Sequence, residues 1–554
     1  MIISLEEAKN AIFPVAVIGA GPVGISLALA LEEQGIDCLL IESGGDAYSE
    51  PVQALSDAAK YDPDHHAPMA DATRRQLGGA SVTWGGRCIP FDPIDFESRD
   101  YVPDAHWPVG YDEIWPYHRK ACEYALCGSD LFAVHDALKS DQDGVVPGLV
   151  NDEDVCTRLE RWSLPTNFGK EHSQRLANSK HIKLLKNTTV VGIRLSADGT
   201  SVQRLDAKTS GGTESFSLTA GHVALACGGL ESTRLLLASN DVQPQGIGNH
   251  SGHLGRHYMG HISGKIARVK FNTEPGKTIY GFEADADKVY TRRRFTFPAQ
   301  SQRKHQLFNT AIWLDNPPIY DPAHGNAILS FAYIALTFPI VCKLLAPDAI
   351  RKAAVGEGHK YSYLAHLKNL FADLPGLIKF VFSFGINRYL VRRKIPGFFL
   401  PNKSNVYELH YHAEQCPNGD STALLTQNTD ALGMPRLDIN LQYTKPDVDS
   451  VLRCHTVLDE RLRAQGVGQL EYKYDDLPAA ILKQATDGFH QMGTTRMSQK
   501  PEDGVVDANL KVHGVDNLYV CASSSFPSSG QANPTLTTMA FAIRLAQHLK
   551  QTTT

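Results

Sequence analysis

Four consecutive apolar residues, Val15, Ala16, Val17 and Ile18, predict a short buried strand. Residues 25–34 then set Leu27, Ala28 and Leu31 at helical intervals, and Gly35 supplies a stop. A second apolar run, Cys38, Leu39, Leu40 and Ile41, returns to strand character and ends at Glu42. Strand, helix and strand in about thirty residues predict a β-α-β unit. Farther along, residues 187–240 repeat an α/β pattern, with strands predicted at 189–193 and 222–226 and a helix starting near Leu230. Alternating segments at 262–315 and 404–445, such as the run from Val406 to His412, predict an antiparallel sheet. Residues 61–120 are rich in Gly, Pro and Trp and predict long loops over a scaffold, with Trp107 and Trp115 as packing residues. No internal repeat is present.

The turn between the first strand and its helix carries Gly19, Gly21 and Gly24 in the spacing G-x-G-x-x-G. Gly19 permits the tight turn, Gly21 lets a pyrophosphate approach the backbone, and Gly24 lets helix and strand pack closely. The helix start offers free N–H groups and a partial positive charge. Glu42, at the end of the second strand, can accept hydrogen bonds from ribose hydroxyls. The unit is therefore read as a dinucleotide site. The pair Gly246 and Gly248 follows a polar stretch and is read as a loop, so one dinucleotide site serves the whole chain. That favours a flavin reduced by its own substrate over a nicotinamide-linked reductase.

Composition adds exclusions. The 554 residues are 42% hydrophobic and 21% charged, the balance of a globular protein. A formal charge of -6 gives no basic field for nucleic acid. Ten cysteines without a C-x-x-C pair disfavour a disulfide framework, zinc or an iron–sulfur cluster, and no metal is expected. The first residues lack the pattern of a secretory signal, so a cytoplasmic location is expected. His410, His412 and Glu414 alternate along one predicted strand face, read as a polar face rather than a metal triad. The cluster Asp64, His65 and His66 is read as loop.

One region stands apart. Residues 326–342 carry no charged side chain, but seventeen residues with Pro339 are marginal for crossing a bilayer. The apolar run 377–384 leads into Arg388, Arg392, Arg393 and Lys394. This apolar and basic helical insertion, 326–399, is read as a helical hairpin over the sheet or a subunit contact. A second reading is a face for peripheral contact with an anionic membrane through 326–396.

Five stretches together resemble the glucose–methanol–choline family of flavin oxidoreductases, nearest to its bacterial and pyranose-oxidase-like members. They are the Gly19–Gly24 unit with Ile41-Glu-Ser-Gly-Gly45, then Leu77-Gly-Gly-Ala-Ser-Val-Thr-Trp-Gly-Gly86, Ala224-Leu-Ala-Cys-Gly-Gly-Leu-Glu-Ser-Thr-Arg-Leu-Leu-Leu237, Gly255-Arg-His-Tyr-Met-Gly-His261, and His490-Gln-Met-Gly-Thr-Thr-Arg-Met497 joined to Asp507 and Asn533-Pro-Thr535. The resemblance spans nearly the whole chain except about 320–400. It implies an α/β fold with a Rossmann-like FAD-binding domain built from both chain ends: 10–50, 70–90, 180–260 and 485–554. Residues 91–179 would be covering loops and helices. Residues 261–325 and 400–484 would form the inserted substrate domain.

The resemblance also implies roles. His490 would take a hydroxyl proton while the hydride passes to flavin N5, and Asn533 would orient the same oxygen. Gly19, Gly21, Gly24, Glu42, Ser43, Gly78, Gly79, Ser81, Val190, Ala226, Ser523, Pro534 and Thr535 would meet FAD. His412 and Glu414 would border the substrate. Where pyranose oxidases carry a histidine bonded to FAD, this chain has Thr83, which implies noncovalent FAD. The expected substrate is a sugar, glycoside or polyol; the acceptor (oxygen, a quinone or a redox protein) stays open. The alternatives are a non-redox flavin lyase of the same fold, a flavoprotein acting on an amphiphilic or lipid-linked alcohol at a membrane surface, and a flavin-binding interaction module.

Overall fold

The computed structural model describes residues 1–163, 166–212, 214–338, 355 and 363–553. The strand Ile12–Ile18 is buried along Val15 to Ile18 and pairs in parallel on both sides. Its neighbours are Cys38–Ile41 and Ser215–Leu225. Cys38–Ile41 continues to Ile182–Leu185, and Ser215–Leu225 to Leu518–Val520, again in parallel. The antiparallel strands Val202–Thr209 and Thr188–Leu195 complete a seven-stranded sheet. Its strands come from distant parts of the chain, because parallel partners need crossovers rather than hairpins. Helix Pro22–Glu33 covers one face and packs against the C-terminal helix Thr535–Thr553. Both chain ends thus build the nucleotide-binding layer.

The second sheet has eight strands in the order Gly468–Tyr472, His261–Phe271, Val406–Glu414, Thr310–Asp315, Tyr290–Thr296, Cys156–Trp162 and Arg87–Cys88, with Glu283–Ala284 beside Tyr290–Thr296. All its pairings are antiparallel. Helix Lys445–Ala464 backs it and buries Val448, Val451, Cys454, Val457, Leu458 and Leu462. Each sheet has its own apolar core.

Three segments differ from the sequence expectation. Cys156–Trp162 and Arg87–Cys88 belong to the second sheet, although they fall in stretches read as covering loops and flavin domain. A two-residue strand carries no periodicity to read. The hairpin Thr422–Thr429 with Pro435–Asn440 packs on helix Gly229–Ala238 of the nucleotide-binding layer, not on the second sheet.

The insertion contains the helices Ala327–Thr337, Tyr363–Ala372 and Leu374–Gly385. The apolar stretch read at 326–342 continues past residue 338, and 339–354 and 356–362 lie outside the described residues. Among the described residues no single helix is long and apolar enough to cross a membrane; Tyr363–Ala372 and Leu374–Leu390 meet at 90°.

Candidate active site

A cleft of about 220 Å³ opens at the end of strand Ile12–Ile18. Gly19, Gly21, Glu42, Ser43, Gly79, Val190, Ala226, Ser523, Pro534 and Thr535 line it. Gly19 has φ +102°, and a Cβ there would sit 2.6 Å from the Ala226 carbonyl oxygen. A Cβ on Gly24 would sit 1.9 Å from the Gly19 carbonyl oxygen. These two glycines answer to the chain's own packing. A Cβ on Gly21 would meet only Gly79 Cα, at 3.7 Å, so the chain's own packing does not demand glycine here and leaves space for a ligand.

Beside the same turn the Glu42 carboxylate accepts the Ala20 N–H at 2.9 Å and the Gly44 N–H at 2.8 Å. Burial pushes this carboxyl up from its ordinary range. Ser43 Oγ sits 2.7 Å from Thr189 Oγ1 and accepts from Arg75 at 2.8 Å. Arg75 also pairs with Glu231, another residue of the cleft. Open glycine backbone with a carboxylate and hydroxyls beside it matches the pyrophosphate and ribose of a dinucleotide, so the residues present fit FAD.

Gly24, Gly78 and Ser81 do not line the cleft. The Gly78 N–H donates to the Ala20 carbonyl at 2.8 Å. Ser81 Oγ donates to the Gly78 carbonyl at 2.5 Å and accepts the Phe168 N–H at 3.0 Å. They hold the glycine loop in place.

Phe489, Gln491 and Pro534 line the same cleft, and between and beside them lie His490 and Asn533. His490 Nε2 is 2.7 Å from Asn533 Nδ2. On the other side of the ring, Nδ1 is 3.1 Å from Asp487 Oδ2 and 3.0 Å from His261 Nδ1. Asp487 is itself fixed by the backbone N–H groups of Phe489, His490 and His261. The loop at His65–Ala67 brackets its backbone: Ala67 N–H donates to the Asp487 carbonyl, and Asp487 N–H to the His65 carbonyl. The histidine pair read as plain loop therefore braces the site. Asn533 Oδ1 accepts from Arg87 Nε at 2.6 Å.

His412 Nδ1 shares a 2.6 Å hydrogen bond with Ser263 Oγ, and its ring stacks on His261 at 4.1 Å. His261 Nε2 and His412 Nε2 are buried ring nitrogens without a hydrogen-bond partner. Burial pulls His261 down to about 4 and His412 well below its ordinary value, so both are neutral at pH 7. Burial opposes ionisation of Asp487, yet His490 and His261 hold its carboxyl well below the usual range. The ligand atoms of His261, His412 and His490 lie within 4.8 Å of one another. The ring planes of His261 and His412 are 26° apart.

Glu414 is not at the cleft. Its carboxylate accepts both Arg99 Nη groups, at 2.7 and 2.6 Å, and the Asn309 N–H at 2.9 Å. His410 packs on Trp313 and faces Asp315. Trp107 packs among Phe91, Phe96, Phe526 and Phe541, as expected. Three residues of the site escape the sequence reading: Asp487, His261 and Arg87. His261 closes a quoted stretch, Arg87 follows one directly, and Asp487 stands three residues before His490.

Nucleotide cleft, two-sheet architecture and imidazole–amide pair define an FAD-dependent oxidoreductase. A family model described as GMC oxidoreductase matches residues 417–542, and one described as FAD binding domain matches residues 13–56. The chain thus carries a GMC oxidoreductase C-terminal domain and an FAD-binding domain, its homologues are GMC oxidoreductases, and its cofactor is FAD. It is 23% identical to the 6'''-hydroxyparomomycin C oxidase of Streptomyces lividus over 97% of this chain and 92% of the relative. It is 24% identical to the paromamine 6'-oxidase of Streptomyces fradiae over 97% and 91%. The formate oxidase structure shares the fold at a TM-score of 0.53 with 14% identity, covering 98% of this chain and 99% of that one.

Proposed function

We propose that this enzyme oxidises a CH–OH group of a small hydroxylated substrate, with His490 Nε2 receiving the hydroxyl proton. The observation that carries this reading is the His490–Asn533 contact of 2.7 Å, flanked by three residues of the cofactor cleft. FAD, when bound, supplies the hydride acceptor. A neutral imidazole is the natural proton acceptor near pH 7. Asp487 stands behind the ring to stabilise the imidazolium that forms. The Asn533 amide donates to the substrate oxygen once that oxygen displaces Nε2 as its partner, and it steadies developing alkoxide charge. His261 Nε2 and His412 Nε2, buried and unpartnered, offer hydrogen bonds to further hydroxyls.

A sugar, glycoside or polyol is the favoured substrate class. Relatives bearing the names paromamine 6'-oxidase and, over 22% of this chain, pyranose 2-oxidase of Tricholoma matsutake support it. The cofactor is held without a covalent bond. In an anaerobic panel of sugars, glycosides and polyols, at least one member bleaches the flavin band near ~450 nm. Acid precipitation then leaves the FAD in the supernatant. Bleaching by NADPH alone would replace this reading with a nicotinamide-linked one, and colour in the pellet would refute the noncovalent cofactor.

A second proposal concerns the insertion: its outer face rests on an anionic bilayer surface. Leu364, Phe371, Phe382 and Leu390 are each at least 70% exposed. Residues 363–403 carry seven basic side chains against one acidic, Asp373, in a chain whose net charge is -6. That combination suits anionic headgroups over apolar tails. The wild type is expected to sediment with phosphatidylglycerol vesicles and not with phosphatidylcholine vesicles. Leu364→Ser, Phe371→Ser and Phe382→Ser together abolish the effect. No sedimentation of the wild type would remove the proposal.

A further inference from the structure

Arg87 lies outside the pair to which the chemistry is assigned, in the two-residue strand Arg87–Cys88. Its Nε–H donates to Asn533 Oδ1 at 2.6 Å. A guanidinium has donors only, so the amide must turn its oxygen to Arg87. Asn533 Nδ2 then faces His490 Nε2 at 2.7 Å. An amide nitrogen only donates, so Nε2 must accept. In a neutral imidazole the single proton then resides on Nδ1, where Asp487 Oδ2 receives it at 3.1 Å. Were the amide reversed, its oxygen would draw the proton to Nε2, and that nitrogen could no longer act as a base.

The guanidinium is itself gripped. It lies 4.8 Å over the Trp313 ring, and its Nη1 is 3.6 Å from Glu160 Oε2. Arg292 binds the other Glu160 oxygen and lies 4.9 Å over Trp313. His261 approaches the ring of His490 only on its Nδ1 side and does not compete for Nε2.

We infer that Arg87 is a positioning residue that fixes which nitrogen of His490 carries the proton, acting through the Asn533 amide. This rests on the proposed role of His490 as the base.

The test uses flavin-loaded enzyme carrying Arg87→Met, Arg87→Lys or Asn533→Asp. One readout is the limiting rate of anaerobic flavin reduction, with the substrate dissociation constant taken from the same titration. The other is the nitrogen NMR signature of His490 in protein labelled with nitrogen-15 histidine, identified by its absence in His490→Ala. Arg87→Met is expected to slow reduction at least ~10-fold, as loss of the correct tautomer should. Its dissociation constant changes far less, and its His490 proton is shared between Nδ1 and Nε2. Lysine, also a donor without acceptors, recovers most of the rate. Asn533→Asp offers acceptors only and moves the proton to Nε2, which keeps the test open if Arg87→Met folds poorly.

An Arg87→Met enzyme that reduces its flavin at the wild-type rate, while His490→Ala does not, would overturn the inference. So would a His490 proton that stays on Nδ1 in both Arg87→Met and Asn533→Asp. If His490→Ala itself runs normally, the reading of the base fails, and the NMR result still decides whether Arg87 sets the tautomer.

Discussion

Replacing His490 with alanine leaves the flavin bound and slows its anaerobic reduction by substrate at least ~10²-fold, about 2.7 kcal/mol of barrier. Flavin retention follows from the cleft: Phe489, Gln491 and Pro534 line it, whereas His490 does not. Integrity of the site follows from Asp487. Without the imidazole its carboxylate still accepts the backbone N–H groups of Phe489, His261 and residue 490. What disappears is the proposed proton acceptor beside the Asn533 amide. The substrate hydroxyl then has to lose its proton to water, while hydride departure builds positive character on carbon. Stopped-flow absorbance under anaerobic conditions measures the step directly. A rate within a few-fold of wild type would assign the base elsewhere, with His261 the first candidate by proximity.

The parts of the site that sequence makes legible are those whose chemistry is local. Gly19 and Gly24 are dictated within one turn, by a positive φ and by a carbonyl 1.9 Å from the place of a missing Cβ. Both lie in a unit where strand, helix and strand follow one another. His490 and Asn533 are legible only as a resemblance, because nothing local to either says that they touch. Arg87 and Asp487 are harder. Arg87 matters through a residue near the other end of the chain, in a strand too short to show a pattern. Asp487 looks like an ordinary turn residue until His261, His490 and the His65–Ala67 loop converge on it. Domain limits fail for a related reason. Cys156–Trp162 joins the second sheet through Tyr290–Thr296, and its own sequence cannot say which edge it will find.

Arg99→Ala destabilises the holoenzyme by about 3–5 kcal/mol, the larger of the two expected effects on folding or catalysis in energy terms. The family resemblance implies a substrate role for Glu414, but the structure gives its oxygens other work. Arg99 grips it in a two-pronged pair, and the side chains are 1% and 0% exposed. Truncating Arg99 leaves the fully buried carboxylate with the Asn309 N–H and without the guanidinium that balances its charge. Asp95 aggravates the loss. Burial and the neighbouring Glu414 push its carboxyl well above the ordinary range, and Arg99 is the cation that moderates this. A lower denaturation midpoint of flavin-loaded protein, read by flavin fluorescence and circular dichroism together, checks the effect. Arg99→Met combined with Glu414→Met should cost less than Arg99→Met alone, because no unpaired charge remains buried. Glu414→Gln should lower the midpoint while leaving the substrate dissociation constant unchanged. The opposite pattern, an unchanged midpoint with weakened substrate binding, would return Glu414 to the substrate pocket and make the pair with Arg99 incidental.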